Sequence, residues 1–320
     1  MKTFAACFLL LGGCSLASPE DPGAVVPPTA DQDPALPQVS IGVAGHERAL
    51  HLETFGDPSQ PVLFAFHGGG GNDYRAMLPL RDLADRYFLV FWDSRGSGLS
   101  ERITADEISV SSYVDEVLAI KALFSPDRPV ALAGYSWGGL HASLFTAAHP
   151  EDVSALVLIE PAPLTQSGED AIEPMELGLG DAFVNELFWQ VDFLGPSDHE
   201  QLDRKAFAAA RDATRDYWCD PEHPGVYPMW RHGIYTDINA SERIMSEEGY
   251  EALIGLATYD GPVQIFGSSC GPLKAEFQTL HTLPLFSNAE LVALPGVSHM
   301  NLFTDELVDG MRTFLDGALP

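Results

Sequence analysis

The sequence predicts an α/β protein with a largely parallel, doubly wound sheet and an inserted helical segment. Short apolar runs typical of buried strands alternate with helical segments in residues 39–162 and again in residues 259–320. The alternation stops in residues 163–258, which are rich in aromatic and acidic side chains and are predicted to form a helical cap. Strands connected through helices run parallel and are covered on both faces, which defines the fold class.

The elements are predicted in a simple order. An antiparallel pair comes first, at residues 39–43 and 49–54, and the remaining strands are short and apolar. These strands are expected at residues 61–66, 88–92, 129–133, 155–159, 263–266 and 290–294, with helices at 72–87, 111–124, 139–148 and 304–319.

A serine lies between a predicted strand and a predicted helix. Residues 134–138 read Gly-Tyr-Ser-Trp-Gly, directly after the apolar run 129–133 and before the helix that Pro150 ends. A serine at such a sharp turn exposes its hydroxyl above the sheet, and the flanking glycines avoid a Cβ clash. An ordinary turn could also hold this pentapeptide, but its context favours Ser136 as a nucleophile.

A run of four glycines, residues 68–71, follows the predicted strand 61–66. Attack on a carbonyl builds negative charge on its oxygen, which requires backbone N–H donors close by. We expect these donors to be the N–H groups of Gly69 and of Trp137, the residue after the serine. A flexible loop would be the other explanation of the glycines.

Four motifs together resemble the α/β-hydrolase superfamily and, within it, the proline iminopeptidase-like branch. They are His-Gly-Gly-Gly at 67–70, Asp-Ser-Arg-Gly-Ser-Gly-Leu-Ser at 93–100, the serine motif with Gly139, and Gly-Val-Ser-His at 296–299. The resemblance spans about residues 40–318 and implies the α/β-hydrolase fold. Esterases share the 93–100 loop, in which we interpret Asp93 and Arg95 as structural.

The resemblance implies that His299, after the last strand, is the general base. It also implies an aspartate after the seventh strand, but residues 267–273 (Gly-Ser-Ser-Cys-Gly-Pro-Leu) contain no carboxylate. Glu160, at the end of the strand that follows the serine's helix, is the preferred acid, because some members of the superfamily place theirs there. Glu276 is the next candidate, and Glu160 could instead be structural.

Four cysteines occur, at positions 7, 14, 219 and 270. Cys7 falls in residues 1–13, which resemble a signal peptide, and Cys14, the next residue, is a predicted lipidation site. The remaining pair in an exported protein suggests a disulfide between Cys219 and Cys270, which would tie the cap to the core beside the site.

The amino terminus resembles a bacterial lipoprotein signal peptide at residues 1–13, since Leu-Gly-Gly-Cys at 11–14 is similar to a lipobox. Cleavage would leave Cys14 as the lipidated first residue, followed by a disordered tether at residues 14–38. The sequence therefore predicts an exported, membrane-anchored lipoprotein, periplasmic or on the cell surface. An ordinary secretory signal is the alternative.

The formal net charge is −29, with 46 acidic and 17 basic residues. Such a surface repels polyanions, so nucleic-acid binding is excluded and membrane association is expected only through the lipid anchor.

These observations predict a serine hydrolase that cleaves a small ester or a short peptide through an acyl-enzyme, with no metal or organic cofactor. Carboxylesterase and proline iminopeptidase-like activities both stay open. The peptidase would need cap carboxylates for a free amino group, with Glu173, Glu176 and Glu186 as candidates. A catalytically inactive binding protein of the same fold is the alternative from another class.

Overall fold

The structure, a computed structural model, describes residues 26–172, 199, 202–203, 217–223 and 225–319. The predicted signal peptide and Cys14 lie outside the described residues, as do Glu173, Glu176 and Glu186. No helix in the described ranges is long and apolar enough to cross a membrane.

The described chain forms one eight-stranded sheet in the order β1-β2-β4-β3-β5-β6-β7-β8. Pairs β1–β2 and β2–β4 are antiparallel, and every other neighbouring pair is parallel. This arrangement confirms the predicted fold class. The strands are β1 (Gln38–Val43), β2 (His46–Phe55), β3 (Val62–Phe66), β4 (Phe88–Trp92), β5 (Val130–Tyr135), β6 (Val153–Ile159), β7 (Val263–Gly267) and β8 (Ala289–Ala293).

The central strands are apolar because the sheet is covered on both faces. All five residues of β3 and all five of β4 are buried, and their side chains alternate between two separate hydrophobic clusters. Phe64 belongs to one cluster, whereas the next residue, Ala65, belongs to the other. Continuous apolar runs in the sequence therefore mark strands with no solvent-facing side.

The helices flank these strands. They are α1 (Val110–Phe124), α2 (Trp137–Ala148), α3 (Gln166–Glu169), α4 (Ile234–Ile244), α5 (Glu247–Ala252), α6 (Ala275–His281) and α7 (Asp305–Ala318).

The helix predicted at residues 72–87 is instead a 3₁₀ helix, Tyr74–Leu83. Pro79 lies inside it, and in an α-helix the proline ring would clash with the carbonyl of the residue four positions earlier, which disfavours α-helical winding. The apolar periodicity nevertheless marks the buried face of this helix, since Met77, Leu80 and Leu83 are buried against the sheet.

The predicted disordered tether ends too late at residue 38. Thr29 and Ala30 are 1% and 2% exposed, and Ala30 N donates to Leu99 O at 2.7 Å. The carbonyl of Pro27 accepts a hydrogen bond from Arg231 Nη1 at 2.7 Å. Composition predicted disorder because the segment has little apolar surface of its own, but backbone groups and small side chains are enough to pack it on the core. Residues 14–25 lie outside the described ranges.

The register of three parallel strands brings their carboxyl ends to one edge. Tyr135 of β5 pairs with Ile159 of β6, which pairs with Phe266 of β7. The next residues along β5 and β6 are Ser136 and Glu160, so both emerge at the same level. Ligand sites in open α/β sheets form at this edge.

The cap segment 229–237 is held on the core by a buried carboxylate. Asp73 accepts hydrogen bonds from Trp230 N at 2.5 Å and from Arg231 N at 3.0 Å. Burial raises the pKa of Asp73 to about 7, the nearby Asp93 adds to this, and the backbone donors oppose it. Because the folded-state pKa lies above the ordinary value, this group favours the folded protein at low pH and loses that contribution as the pH rises toward about 7.

A buried ionic cluster adds to this docking. Asp203 is fully buried and accepts from Arg231 Nε at 2.8 Å and from Arg102 Nη2 at 2.9 Å. Arg102 follows the 93–100 loop, so the cluster joins the cap to the loop after β4. Charges buried at this depth need such pairing, since a lone ion there would be costly.

The predicted disulfide between Cys219 and Cys270 is present, with a Cα–Cα distance of 5.4 Å and a sequence separation of 51 residues. It joins the cap to the loop after β7. Closing a loop of this length restricts the unfolded chain and stabilises the fold by about 4 kcal/mol in the chain-entropy model.

We expect Gly138→Ala to lower the free energy of unfolding by about 1–3 kcal/mol, because overpacking costs that much. A Cβ at position 138 would collide with the backbone carbonyl groups of Phe66 and His67. Thermal or denaturant unfolding measures the change. Gly317→Ala is the matched control: it has open space around it in α7 and should gain about 1 kcal/mol from helix propensity. Equal stability of the Gly138 variant and wild type would contradict the tight turn.

Candidate active site

Ser136 occupies a strained turn between β5 and α2. Its φ is +54°, in the left-handed region that non-glycine residues rarely adopt. Its N–H donates to Ile159 O at 3.0 Å, and its carbonyl accepts from Ala162 N at 2.9 Å. The backbone is therefore fixed on both sides, and the partly exposed side chain stands at the carboxyl edge of the sheet.

Glu160 and His299 form a buried pair at the same edge. His299 Nδ1 donates to Glu160 Oε2 at 2.7 Å, and the two side chains are 5% and 0% exposed. Because an ionised carboxylate only accepts, this contact fixes the proton on Nδ1 and leaves Nε2 as the acceptor. The structure thus brings together the predicted base and the preferred acid.

The other oxygen of Glu160 is also satisfied. Ser268 N, just after β7, donates a hydrogen bond to Glu160 Oε1. Glu160 N itself donates to Phe266 O at 2.9 Å, and its φ is +42°. The strained backbone turns the carboxylate away from the axis of β6 and toward the loops after β7 and β8.

The loop after β7 also supports the histidine loop. Ser269 N donates to Val297 O at 3.1 Å, and Cys270 forms a parallel bridge with Ser298, the residue before His299. The usual acid position therefore carries backbone contacts and a disulfide instead of a carboxylate.

Tyr135 packs against the imidazole of His299, the predicted base. Its ring stacks on His299 with centroids 4.9 Å apart, and its hydroxyl donates to His299 O at 2.7 Å. Burial raises the pKa of Tyr135 well above its ordinary value, and the neighbouring Tyr227 adds to this. The phenol therefore stays protonated and keeps its hydrogen bond to the backbone of the base.

The predicted oxyanion loop passes close to the serine. A Cβ on Gly68 would lie 3.3 Å from Ser136 Cβ, and Gly69 has a φ of +63°. Gly68 therefore lies close to Ser136. Trp137 is the first residue of α2, where N–H groups have no partner within the helix. Both oxyanion assignments stay predictions.

His67 organises this loop. Its Nε2 accepts from Ser94 N at 3.1 Å, so Nδ1 carries the proton and donates to Gly68 O at 3.0 Å. The loop after β3 is thereby joined to the loop after β4, which gives His67 a structural role.

The cap reaches the same loop through His232. His232 Nδ1 donates to Asn72 Oδ1 at 2.6 Å, and Nε2 lies 3.3 Å from Asp237 Oδ2. A Cβ on Gly69 would lie 2.5 Å from Asn72 Nδ2, so the Asn72 amide borders the oxyanion loop.

The structure also locates Glu276, Asp93 and Arg95, to which the sequence analysis gave candidate roles. Glu276 is exposed and pairs with Lys274 at 3.2 Å, so it does not reach the base. Asp93 is structural, as expected, accepting from Leu99 N at 2.8 Å and pairing with His51 at 2.9 Å. Arg95 pairs with Glu116 at 3.0 Å and is buried, which also fits a structural role.

Sequence reasoning did not find several groups around the site. Ser268 contributes only its backbone N–H, so no side-chain signal marked it. Tyr135 is visible in the serine motif, although its contact with His299 crosses 164 residues of sequence. Tyr217 of the cap, whose ring centroid lies 5.1 Å from that of His299, sits in a segment without a recognisable motif.

Within the described residues, His149, Glu151 and Asp152 place ligand atoms within 4.8 Å of one another, the spacing of a metal site. The cluster lies past the far end of α2, a 12-residue helix or about 18 Å from Ser136. Lys121 Nζ already pairs with Asp152 at 2.8 Å, so the cluster has a cation of its own.

This chain is similar to known peptidases and esterases over part of its length. Proline iminopeptidase of Pestalotiopsis fici is 31% identical over 127 residues, covering 38% of this chain and 43% of the relative. Pimeloyl-[acyl-carrier protein] methyl ester esterase of a Shewanella species is 32% identical over 129 residues, covering 40% and 45%. The chain thus matches less than half the length of these relatives, and the peptidase matches support the resemblance to the proline iminopeptidase-like branch.

Solved structures share the fold over most of the chain. An esterase of Thermogutta terrifontis has a TM-score of 0.60 at 17% identity, covering 88% of this chain and 99% of that one. A bacterial membrane phospholipase A has a TM-score of 0.58 at 22% identity, covering 88% and 86%.

The serine turn, the glycine loop and the histidine loop are all placed by one parallel sheet, and a family model described as alpha/beta hydrolase fold matches residues 61–220. The chain belongs to the α/β-hydrolase fold family.

Proposed function

We propose that this protein is a serine hydrolase that cleaves an ester or amide bond of a small substrate through an acyl-enzyme. The observation that carries the proposal is the buried 2.7 Å contact between His299 Nδ1 and Glu160 Oε2, at the sheet edge that presents Ser136. The curated relatives support it, since they include peptidases and esterases.

In the proposed reaction, Ser136 Oγ attacks the substrate carbonyl and its proton passes to His299 Nε2. Glu160 keeps the imidazole in the required tautomer and stabilises the imidazolium that forms. The N–H groups of Gly69 and Trp137 stabilise the developing oxyanion. The imidazolium then protonates the leaving group, and water, activated by the same histidine, releases the acyl group and restores Ser136.

The alternative of an inactive binding protein drew its support from the missing aspartate after β7. If Glu160 is the acid, the missing aspartate no longer argues for an inactive protein, because the Glu160 carboxylate can orient His299. Esterase and iminopeptidase activity remain two versions of one proposal, distinguished by parallel assays with p-nitrophenyl esters and proline β-naphthylamide.

Export is proposed as well. A disulfide that persists indicates an oxidising compartment, which agrees with the signal sequence expected at residues 1–13.

Ser136→Ala should abolish hydrolysis and labelling by a fluorophosphonate probe, because the nucleophile is lost. An unchanged melting temperature would show that the fold is intact. Full labelling of the alanine variant at wild-type stability would contradict the assignment of Ser136.

Glu160→Gln should reduce turnover by several orders of magnitude, on the order of 10⁴ where the histidine tautomer is lost. The measurement is kcat for an active ester or peptide substrate, with unfolding followed in parallel, since the same carboxylate accepts from Ser268 N. Glu276→Gln is the matched control and should leave kcat unchanged, because Glu276 is exposed and pairs only with Lys274 in the described part of the chain. If Glu276→Gln reduced kcat and Glu160→Gln did not, the acid would be Glu276.

Cys14→Ser should release the protein from membranes if Cys14 is lipidated. Partition of the expressed full chain into a detergent phase is the measurement, with Cys7→Ser, inside the predicted signal, as the control. A wild-type protein that is found unmodified in the aqueous phase would leave only the ordinary secretory signal.

A further inference from the structure

Two tyrosine rings lie against the imidazole of His299. Tyr135, from the end of β5, stacks on it at a centroid distance of 4.9 Å and an interplanar angle of 29°. Tyr217, from the cap, lies at 5.1 Å and 47°. One ring thus belongs to the sheet and the other to a separate part of the chain.

The chain segment that carries Tyr217 is tethered by a disulfide. Cys219, two residues later, is bonded to Cys270 in the loop after β7. Cys270 in turn forms a bridge with Ser298, the residue before His299. The disulfide therefore joins the segment that carries Tyr217 to the loop that carries His299.

Aromatic faces attract cations within about 6 Å of the ring centroid, and the attraction grows when water is excluded. In the proposed reaction His299 is neutral before Ser136 attacks the substrate and cationic afterwards, so an aromatic neighbour stabilises the charged imidazolium more than the neutral imidazole. Glu160 faces Nδ1, and Tyr135 and Tyr217 face the ring. Tyr227 lies next to Tyr135.

We propose that Tyr217 is a positioning residue for His299, held against the imidazole by the Cys219–Cys270 disulfide, and that it stabilises the imidazolium formed during acyl transfer. This inference rests on the proposed function. It also gives a role to Cys270, which stands where the superfamily usually has its acid. Because Glu160, after β6, takes the role of the acid in the proposed reaction, the loop after β7 can instead hold Tyr217 against His299. This contact also makes the reaction rate sensitive to reduction of the disulfide, whose Cys219 end is exposed.

The experiment compares Tyr217→Leu and Tyr217→Phe in the oxidised full chain. The readout is the second-order rate of labelling by a fluorophosphonate probe, in which Ser136 Oγ bonds to phosphorus, fluoride leaves, and His299 accepts the serine proton. Loss of the aromatic ring should slow labelling by about 2- to 30-fold, whereas the phenylalanine variant should keep the wild-type rate.

The pH profile separates this role from simple packing. Without the ring the imidazolium is less favoured, so the acidic limb of the Tyr217→Leu profile should move to lower pH by about 0.4–1.5 units while the plateau rate falls. Tyr235→Leu is the control, since Tyr235 is a cap tyrosine that stacks on another histidine, His199, with centroids 4.6 Å apart. Its acidic limb should not move.

The disulfide is tested by Cys219→Ser. Its labelling rate should fall to the Tyr217→Leu level, and combining the two substitutions should slow the reaction little further, because both remove the same contact. Melting temperatures show whether each variant is folded at the assay temperature, and reduction of the wild-type protein below its melting temperature repeats the test without a substitution.

The inference is overturned if Tyr217→Leu labels at the wild-type rate with an unmoved acidic limb, or if Tyr217→Phe is as slow as Tyr217→Leu. It is also overturned if Cys219→Ser keeps the full rate. These results leave the proposed function standing, provided that labelling still requires Ser136. Failure of the wild-type protein to label at all would overturn the proposed function and this inference with it.

Discussion

The hydrogen bond between Glu160 and His299 joins elements that are far apart in sequence, and the surrounding loops are arranged to maintain it. The carboxylate is fully buried, so an unpaired charge there would cost several kcal/mol. Its two oxygens accept from His299 Nδ1 and from the backbone N–H of Ser268. The loops after β6, β7 and β8 must therefore keep one relative position, because a shift of any of them would leave a buried oxygen without a donor.

This constraint explains why strain is tolerated at the sheet edge. Ser136 and Glu160 both have positive φ values, which cost roughly 1–3 kcal/mol each. The two turns are connected through the backbone, since Ser136 N donates to Ile159 O and Ala162 N donates back to Ser136 O. Paired strands in the middle of a buried sheet cannot relax independently, so packing of the core maintains a geometry that the isolated turns would not adopt.

Much of this could be predicted from the sequence. The apolar runs located the strands because each central strand is buried on both faces, and β4 was placed at its observed residues. Ser136 follows from its motif between a strand and a helix, whereas His299 and Glu160 follow from the resemblance to the superfamily. The 3₁₀ winding at Tyr74–Leu83 was missed because apolar spacing marks which face is buried and does not distinguish the two helix types.

Other features could not be predicted because they depend on contacts that close only in the folded chain. Nothing local marks Asp73 as the acceptor for Trp230 and Arg231, since the residues are about 157 positions apart. The burial of Thr29 and Ala30 and the hydrogen bond of Pro27 depend in the same way on Leu99 and Arg231, which lie far along the sequence. A segment judged by its own composition looks disordered when its partners are distant.

The hydrogen bond between Pro27 and Arg231 has a consequence for the geometry of an anchored molecule. Positions 14 and 27 are 13 residues apart, a chain that reaches at most about 45 Å when fully extended. The chain leaves the folded body beside Arg231, a cap residue, and not from the opposite end of the sheet. If the protein is held by a lipid at Cys14, the cap side stays within that radius of the bilayer. In that case the length of residues 14–27 limits how far Arg231 can lie from the membrane surface.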